Sequence, residues 1–258
     1  MERILIIGAT SGIGGRLSEE LSKRKHEVYG IGRKEQVLKS MQEKGYINDF
    51  LVADLATEEG RKKTVQYSGQ NGVSCLIYAQ GMLDAERLED SKPERVKSVI
   101  DVNLTSTMLT DQELLKQNKN PNRIIYLASI SSLYAWDGGA AYQASKAGLL
   151  AYIQAMKQQD KGTGRTTDRI GLYPDTIATE KGMAAEQLGE YKKIPLDVFI
   201  AEIANITERK YDGNDFVFNI KEEDGTVTLE ELLMNEETLR PTFFKSREIK
   251  QLGKASSG

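Results

Sequence analysis

A tyrosine and a lysine stand four residues apart in the run Tyr142-Gln143-Ala144-Ser145-Lys146. The run opens the apolar segment Ala147–Met156, whose three- and four-residue spacing predicts a helix. Four residues span just over one helical turn, so both side chains project from one face. A nearby ammonium favours the phenolate and lowers the phenol pKa from about 10. We therefore predict a pair that exchanges a proton with a carbonyl or alcohol oxygen, the alternative being an ordinary surface helix.

The beginning of the chain predicts a phosphate-binding turn. The apolar run Ile4–Ile7 is typical of a strand that is buried on both faces of a parallel sheet. A glycine-rich stretch from Gly8 to Gly14 follows, and then a helical pattern through Leu17 and Leu21. Glycines let backbone N–H groups approach a phosphate, and the helix dipole favours its charge. Strand, turn and helix together indicate a dinucleotide site, and the alternative is a glycine turn without a ligand.

The end of the second predicted strand indicates which dinucleotide binds. The strand His26–Ile31 is followed by Gly32, Arg33 and Lys34, and no carboxylate occurs before Glu35. In dinucleotide sites an acidic residue at this place holds the ribose 2′-hydroxyl, whereas an arginine accommodates a 2′-phosphate. We therefore expect NADP(H) rather than NAD(H). The alternative is that Arg33 is a solvated surface charge.

Strands and helices alternate along the first half of the chain. The predicted elements are helices at Gln36–Met41, Glu58–Tyr67 and Val96–Leu115, and strands at Ile47–Ala53, Val73–Tyr78 and Arg123–Ala128. This alternation predicts an α/β fold with a Rossmann-like doubly wound parallel β-sheet flanked by helices. Ligands of such sheets bind beyond the carboxyl ends of the strands. The residues expected to converge there are Gly8, Arg33, Asp54, Gly81 and Ser129.

The second half of the chain carries weaker signals. We expect a single domain over residues 1–252, with a variable substrate lid at 180–215 and a flexible tail at 253–258. The predicted elements here are a helix at Pro195–Ile206, a final strand at Phe216–Ile220 and a short helix at Leu229–Met234.

Composition narrows the classes of function. The formal net charge is -3, from 35 basic and 38 acidic residues, which gives no attraction to nucleic acid or to an anionic membrane. No apolar stretch reaches the roughly 18 residues that span a bilayer, and no signal peptide precedes the first strand. The single cysteine, Cys75, is expected to be a buried thiol, and a reducing cytoplasm is the simplest setting. No group of residues has the spacing of a metal site.

Further motifs occur in a fixed order along Arg3–Thr179. Asn103 stands in the long predicted helix, Ser129 lies thirteen residues before Tyr142, and residues 174–179 read Pro-Asp-Thr-Ile-Ala-Thr. Together with the glycine turn, these motifs resemble those of the short-chain dehydrogenase/reductase family, single-domain branch. The resemblance covers about two thirds of the chain.

The resemblance implies hydride transfer between the nicotinamide of NADP(H) and a small-molecule carbonyl or alcohol. Tyr142 would be the general acid in reduction, while Lys146 would lower its pKa and hold the nicotinamide ribose. Ser129 would hydrogen-bond the substrate oxygen, and Asn103 would hold a water that links Lys146 to solvent. A homodimer or homotetramer, formed through the helices at Val96–Leu115 and Ala147–Met156, is also implied.

The resemblance also assigns a wider set of contacts. The cofactor contacts that it implies are Gly8, Thr10, Ser11, Gly12, Ile13, Gly14, Arg33, Lys34, Asp54, Leu55, Ala79, Gly81, Tyr142, Lys146, Pro174, Ile177 and Thr179. Substrate contacts are expected from residues that flank the pocket, namely Ser131, Tyr134, Trp136 and Met183. Ser131 and Ser132 compete with Ser129 for the role of the substrate-binding hydroxyl.

The sequence is also compatible with two other functions. Asp175 stands where the family has a glycine, and Ala79-Gln80-Gly81 stands where it has Asn-Ala-Gly. These differences are compatible with an NADP-binding regulator or scaffold that has lost turnover. A dehydratase or epimerase on a related fold is the third hypothesis, although such enzymes usually have a larger C-terminal substrate domain.

Overall fold

The computed structural model describes residues 1–10, 12–179, 192–221, 223–234 and 241–254. Within these residues, nine strands form one sheet in the order β3-β2-β1-β4-β5-β6-β7-β8-β9. The strands are β1 Arg3–Ile7, β2 Glu27–Gly32, β3 Asp49–Val52, β4 Cys75–Tyr78, β5 Arg123–Leu127, β6 Asp168–Pro174, β7 Asp215–Ile220, β8 Thr226–Met234 and β9 Pro241–Lys254. The first seven strands pair in parallel, and β8 and β9 extend the sheet antiparallel at one edge.

Helices cover both faces of this sheet, which confirms the predicted doubly wound fold. They are α1 Gly12–Lys23, α2 Glu35–Glu43, α3 Glu58–Gln70, α4 Pro93–Ile100, α5 Ser106–Lys116, α6 Ala140–Thr163 and α7 Leu196–Thr207. Alternate residues of β1 enter opposite hydrophobic clusters, with Ile4 and Ile6 in one and Leu5 and Ile7 in the other. Because β1 pairs with both β2 and β4, the strand order reverses there and opens a crevice at the carboxyl ends. None of the described helices is long and apolar enough to cross a membrane.

The helix that carries Tyr142 and Lys146 is longer than the sequence predicts. It begins at Ala140 and ends at Thr163, where Gly164 takes a left-handed conformation and its N–H bonds to the Asp160 and Lys161 carbonyls. A glycine suits this position because it reaches positive φ without strain. The tyrosine and the lysine therefore lie in the first two turns of α6.

The long helix predicted at Val96–Leu115 is not one uninterrupted α-helix. A π-helical turn at Asp101–Thr105 separates α4 from α5, and in it the Ser106 N–H bonds to the Asp101 carbonyl. Asn103 lies within this turn and is 2 % exposed. Single π-turns inserted in α-helices occur frequently at functional sites, and apolar spacing cannot reveal them.

The C-terminal strands correct three sequence predictions. Leu229–Met234 was expected to be a helix, but it lies in β8, between β7 and β9. Phe216–Ile220 is therefore not the final strand, and Gly253 and Lys254, assigned to the tail, pair with β8. Backbone pairing on both sides, with Leu229 fully buried, overrides the helix preference of a Leu- and Glu-rich segment. The strand β6 was not predicted.

A buried polar cluster joins β4, β5 and β6 to α5 and α6. The Asp111 carboxylate accepts hydrogen bonds from the hydroxyls of Tyr78 (2.7 Å), Tyr126 (2.6 Å) and Tyr152 (2.8 Å). It also pairs with the Arg169 guanidinium at 3.0 Å, and the side chains of both ions are at most 1 % exposed. Desolvation raises the pKa of Tyr78 well above its ordinary value, so that its hydroxyl stays a donor. Tyr78 thus has a structural role.

We expect Asp111→Asn to lower the free energy of unfolding by about 3 kcal/mol, because the buried Arg169 guanidinium loses one counter-charge and keeps only Asp160. Urea unfolding measures this difference. Asp101→Asn, at an exposed position of the π-turn, is the matched control and should change the free energy by less than about 0.5 kcal/mol. Equal effects of the two substitutions would contradict the role assigned to the cluster.

Candidate active site

Backbone atoms pack closely against the first and last glycines of the turn, Gly8 and Gly14. The space beside Gly12, at the start of α1, is open among the described residues. A Cβ on Gly8 would lie 2.7 Å from the Gln80 backbone nitrogen, and one on Gly14 would lie 2.3 Å from the Gly8 oxygen. Gly12 has a φ of +41°, and apart from its chain neighbours no atom of the described residues lies within 4 Å of the place of its missing Cβ. The positive end of the α1 dipole thus faces open space, which suits the phosphates of a dinucleotide. Ser11 lies outside the described residues.

The end of β2 carries a cation and leaves little room for a carboxylate at position 32. A Cβ on Gly32 would lie 2.4 Å from the Thr10 methyl carbon, so that a larger side chain would require Thr10 to move. Arg33 and Lys34 are exposed, and Nη1 of Arg33 lies 3.8 Å from Oδ2 of Asp54. The structure therefore brings Thr10, Arg33 and Asp54 together at one end of the crevice.

The segment after β4 packs against the glycine turn. Ala79 donates its N–H to the Ile7 carbonyl at 2.9 Å. Nε2 of Gln80 donates to the Thr107 hydroxyl at 3.0 Å. The Gln80 side chain thus points to α5, while its backbone packs on Gly8.

The segment after β6 makes a short backbone bridge. Ile177 pairs in parallel with Ile194, whose N–H bonds to the Thr176 carbonyl at 2.8 Å. The bridge joins the two flanks of residues 180–191, which lie outside the described residues. The predicted substrate contact Met183 belongs to that segment, so its position is not described.

Asp175 has a local hydrogen bond that its family counterpart, a glycine, could not form. Its Oδ1 accepts the Thr176 N–H at 2.6 Å, and its own N–H bonds to the Phe218 carbonyl at 2.8 Å. The carboxylate therefore fixes the turn that leaves β6 after Pro174.

Lys146 is anchored to the end of β5. Its Nζ donates to the Leu127 carbonyl at 2.8 Å, and the residue is only 4 % exposed. Burial lowers the pKa of its ammonium from 10.5 to about 8. The Ser132 hydroxyl donates to the Lys146 carbonyl at 2.8 Å, which ties the turn after β5 to α6 and directs Ser132 away from Tyr142.

The Ser129 hydroxyl lies close enough to the Tyr142 phenol to affect its ionisation. Burial raises the pKa of the Tyr142 phenol, and the interaction with Ser129 lowers it in part. Nζ of Lys146 lies 5.8 Å from the centre of the tyrosine ring. The expected lowering of the phenol pKa by Lys146 is not found; the pKa is raised instead, because desolvation disfavours charge on both groups. The Ser129 oxygen accepts the Ser131 N–H at 3.1 Å, which leaves its own proton to be donated.

Asn103 connects the loop after β4 to α6. Its Oδ1 accepts the Met82 N–H at 2.8 Å, and its Nδ2 donates to the Met82 carbonyl and to the Ser145 hydroxyl, both at 3.0 Å. Ser145 in turn donates to the Tyr142 carbonyl at 2.7 Å. The side chain thus aligns the start of α6, and the expected role in holding a water stays a prediction.

The loop between Ser129 and Tyr142 is held by a residue that the sequence analysis missed. Oε1 of Gln143 accepts the Trp136 N–H at 3.0 Å, and its Nε2 donates to the Trp136 carbonyl at 2.9 Å. Nε1 of Trp136 donates to the Ser131 hydroxyl at 3.1 Å. Tyr134, a further expected substrate contact, is 49 % exposed. No periodic signal marks Gln143, because its partners lie in an irregular loop.

Comparisons with known proteins agree with this geometry. A family model described as short chain dehydrogenase matches residues 2–187. The 3-oxoacyl-acyl-carrier-protein reductase FabG of Rickettsia prowazekii is 28% identical over 199 residues, which cover 76% of this chain and 82% of the relative. An oxidoreductase of Myxococcus xanthus is 27% identical over 187 residues, which cover 68% and 72%.

Solved structures share the fold. A short-chain dehydrogenase from Streptomyces avermitilis has a TM-score of 0.73 at 14% identity, covering 84% of this chain and 88% of that protein. A variant of actinorhodin polyketide ketoreductase, solved with NADPH, has a TM-score of 0.65 at 22% identity, covering 72% and 74%. At these identities the likeness concerns the fold alone.

Burial of Lys146 predicts a pH dependence of stability. Its pKa is about 8 in the folded chain, below the ordinary 10.5, so the unfolded chain binds more protons between these values. Stability therefore rises with pH through this window, because a penalty on the order of 3 kcal/mol for burying the ammonium is present below it and vanishes above it.

Urea unfolding of the parent and of Lys146→Met, from pH 7 to pH 10.5, measures this effect. The parent should gain stability relative to the variant as the pH rises. Lys161→Met, exposed near the far end of α6, is the control and should show a constant difference from the parent. A difference that stays constant for Lys146→Met as well would contradict the lowered pKa.

Proposed function

The chain belongs to the short-chain dehydrogenase family, and we propose that it is an NADP(H)-dependent oxidoreductase that interconverts a carbonyl and an alcohol. The observation that supports this most directly is that the Ser129 hydroxyl and the buried Lys146 ammonium both lie beside the Tyr142 phenol. These groups follow the carboxyl end of β5, in the sheet whose first turn is open at Gly12. A proton donor and a dinucleotide cradle thus share one crevice.

NADP(H) is the proposed cofactor. The glycine turn would hold its phosphates, and Arg33 would pair with the 2′-phosphate. The close packing of Thr10 against Gly32 supports this choice, because it disfavours an acidic residue that would bind a free ribose at this position. The structural neighbour solved with NADPH shows that this fold accommodates that nucleotide.

The proposed mechanism divides proton handling among three side chains. When bound, the nicotinamide supplies or accepts the hydride. In reduction, Tyr142 gives its proton to the carbonyl oxygen, and its raised pKa keeps the phenol protonated until that step. Ser129 donates its proton in a hydrogen bond to the same oxygen as negative charge develops. Lys146 holds positive charge near the phenol, which stabilises the phenolate that the transfer leaves.

We further propose that the chain forms a homodimer or homotetramer through α5 and α6. The outer face of this pair carries Met108, which is 41 % exposed, and the exposed small residues Ala147 and Ala151. Close approach of a second helix pair would cover these apolar groups.

Tyr142→Phe tests the proposed reaction. The parent should oxidise NADPH over a panel of carbonyl compounds, and the variant should lose at least about 100-fold in kcat, since positioned general acids contribute about 10²–10⁴. NADPH affinity, measured by calorimetry, should be unchanged. Tyr67→Phe is the control. Tyr67 lies on α3, and its hydroxyl donates a hydrogen bond to Asp49. A parent that binds NADPH but never oxidises it across the panel would instead support the regulator or scaffold.

Arg33→Ala tests the cofactor preference. Loss of the charge-assisted bond to the 2′-phosphate should weaken NADPH binding about tenfold or more. NADH lacks that phosphate, so its affinity should stay the same and serve as the internal control. Calorimetric titration of both nucleotides gives the ratio. If both affinities fall equally, Arg33 has no part in choosing between them.

A further inference from the structure

The Gln143 side chain makes two hydrogen bonds to the backbone of Trp136. Its amide oxygen accepts the N–H of that residue and its amide nitrogen donates to the carbonyl of the same residue, as in a pair of β-strands. The amide nitrogen also donates to the Gly138 carbonyl at 2.5 Å. Because Gln143 directly follows Tyr142 in α6, the loop is tied to the element that carries the proposed general acid.

The indole of Trp136 is held separately from its backbone. Nε1 donates to the Ser131 hydroxyl at 3.1 Å, and the six-membered ring lies over Gly139 through Cζ2 and Cη2. A Cβ on Gly139 would be 2.3 Å from Cη2, so that only a glycine leaves space for the ring. Ser131 also donates its N–H to the Ser129 oxygen, which places the indole two hydrogen bonds from the proposed substrate-binding hydroxyl.

We propose that Gln143 is a positioning residue that holds Trp136 as a fixed wall of the substrate pocket, and that this wall selects carbonyl compounds with an apolar group on that side. This inference rests on the proposed function. The side-chain N–H of Trp136 and both polar atoms of the Gln143 amide already have partners in the protein. The wall therefore presents an apolar surface.

Selection follows from the cost of desolvation. An alkyl or aryl group against the indole gains apolar contact. A carboxylate or phosphate at the same place would lose its hydration without gaining a hydrogen bond. The preferred substrates are thus ketones or aldehydes whose flanking group on this side is a hydrocarbon.

Gln143→Glu is the main test, because it keeps the size of the side chain and replaces the donor with an oxygen. That oxygen would face the Trp136 and Gly138 carbonyls and release the loop. For an aryl alkyl ketone, KM should rise about three- to tenfold, the value of one hydrogen bond, with a smaller effect on kcat. For a keto acid with its carboxylate beside the carbonyl, KM should change less. NADPH affinity should stay constant.

Tryptophan fluorescence measures how accessible Trp136 is without any turnover, since it is the only tryptophan in the chain. Gln143→Glu should increase quenching by acrylamide. Gln158→Glu, exposed on the same helix, adds the same charge and should change neither quenching nor KM. Should Gln143→Glu fail to fold in thermal unfolding, Ser131→Ala removes the indole acceptor and should likewise increase quenching.

The outcomes separate this inference from the proposed function. If the parent shows no turnover, the proposed function and the substrate selection are both overturned. Acrylamide quenching then still tests whether Gln143 holds Trp136 in place. If quenching is unchanged in Gln143→Glu, the positioning of Trp136 by Gln143 is overturned even when the parent is active. Increased quenching with equal KM changes for the ketone and the keto acid, or with none, overturns the selection.

Discussion

The site depends on one buried hydrogen bond, from the Lys146 ammonium to the carbonyl at the end of β5. This bond fixes the first turns of α6 against the sheet, and the hydroxyl of Ser132 secures the same helix from the turn after β5. Asn103 adds a third attachment through Ser145. Because the three contacts come from different elements, the phenol of Tyr142 has a defined position before any ligand is considered.

The same burial sets the electrostatic character of the pair. Desolvation raises the pKa of Tyr142 and lowers the pKa of Lys146, so each group is shifted toward its neutral form. Ser129 acts in the opposite direction on the phenol. A site of this kind holds a proton on the tyrosine and responds strongly to any negative charge that forms nearby, because little water is present to screen it.

The sequence predicted the parts of the fold whose signals are local. The apolar run Ile4–Ile7, the glycine turn and the helix after it are adjacent in the chain, and the structure confirms each. Asn103 was found by its place in a motif, but the π-turn around it depends on hydrogen bonding that residue types do not reveal. Leu229–Met234 was assigned to the wrong type of element, because pairing with β7 and β9 decided its conformation. Gln143 was missed since its partners lie in a loop.

The two antiparallel strands at the end of the sheet change which edge the molecule presents to others. In their absence β7, with the apolar sequence around Phe218, would be the last strand and would offer unpaired backbone groups. Instead the outermost strand among the described residues is β9, whose Arg247, Lys250 and Lys254 form ion pairs with Glu231, Glu202 and Asp224. Charged side chains along a sheet edge discourage strand-to-strand addition, so we expect the hairpin to disfavour fibrillar self-association.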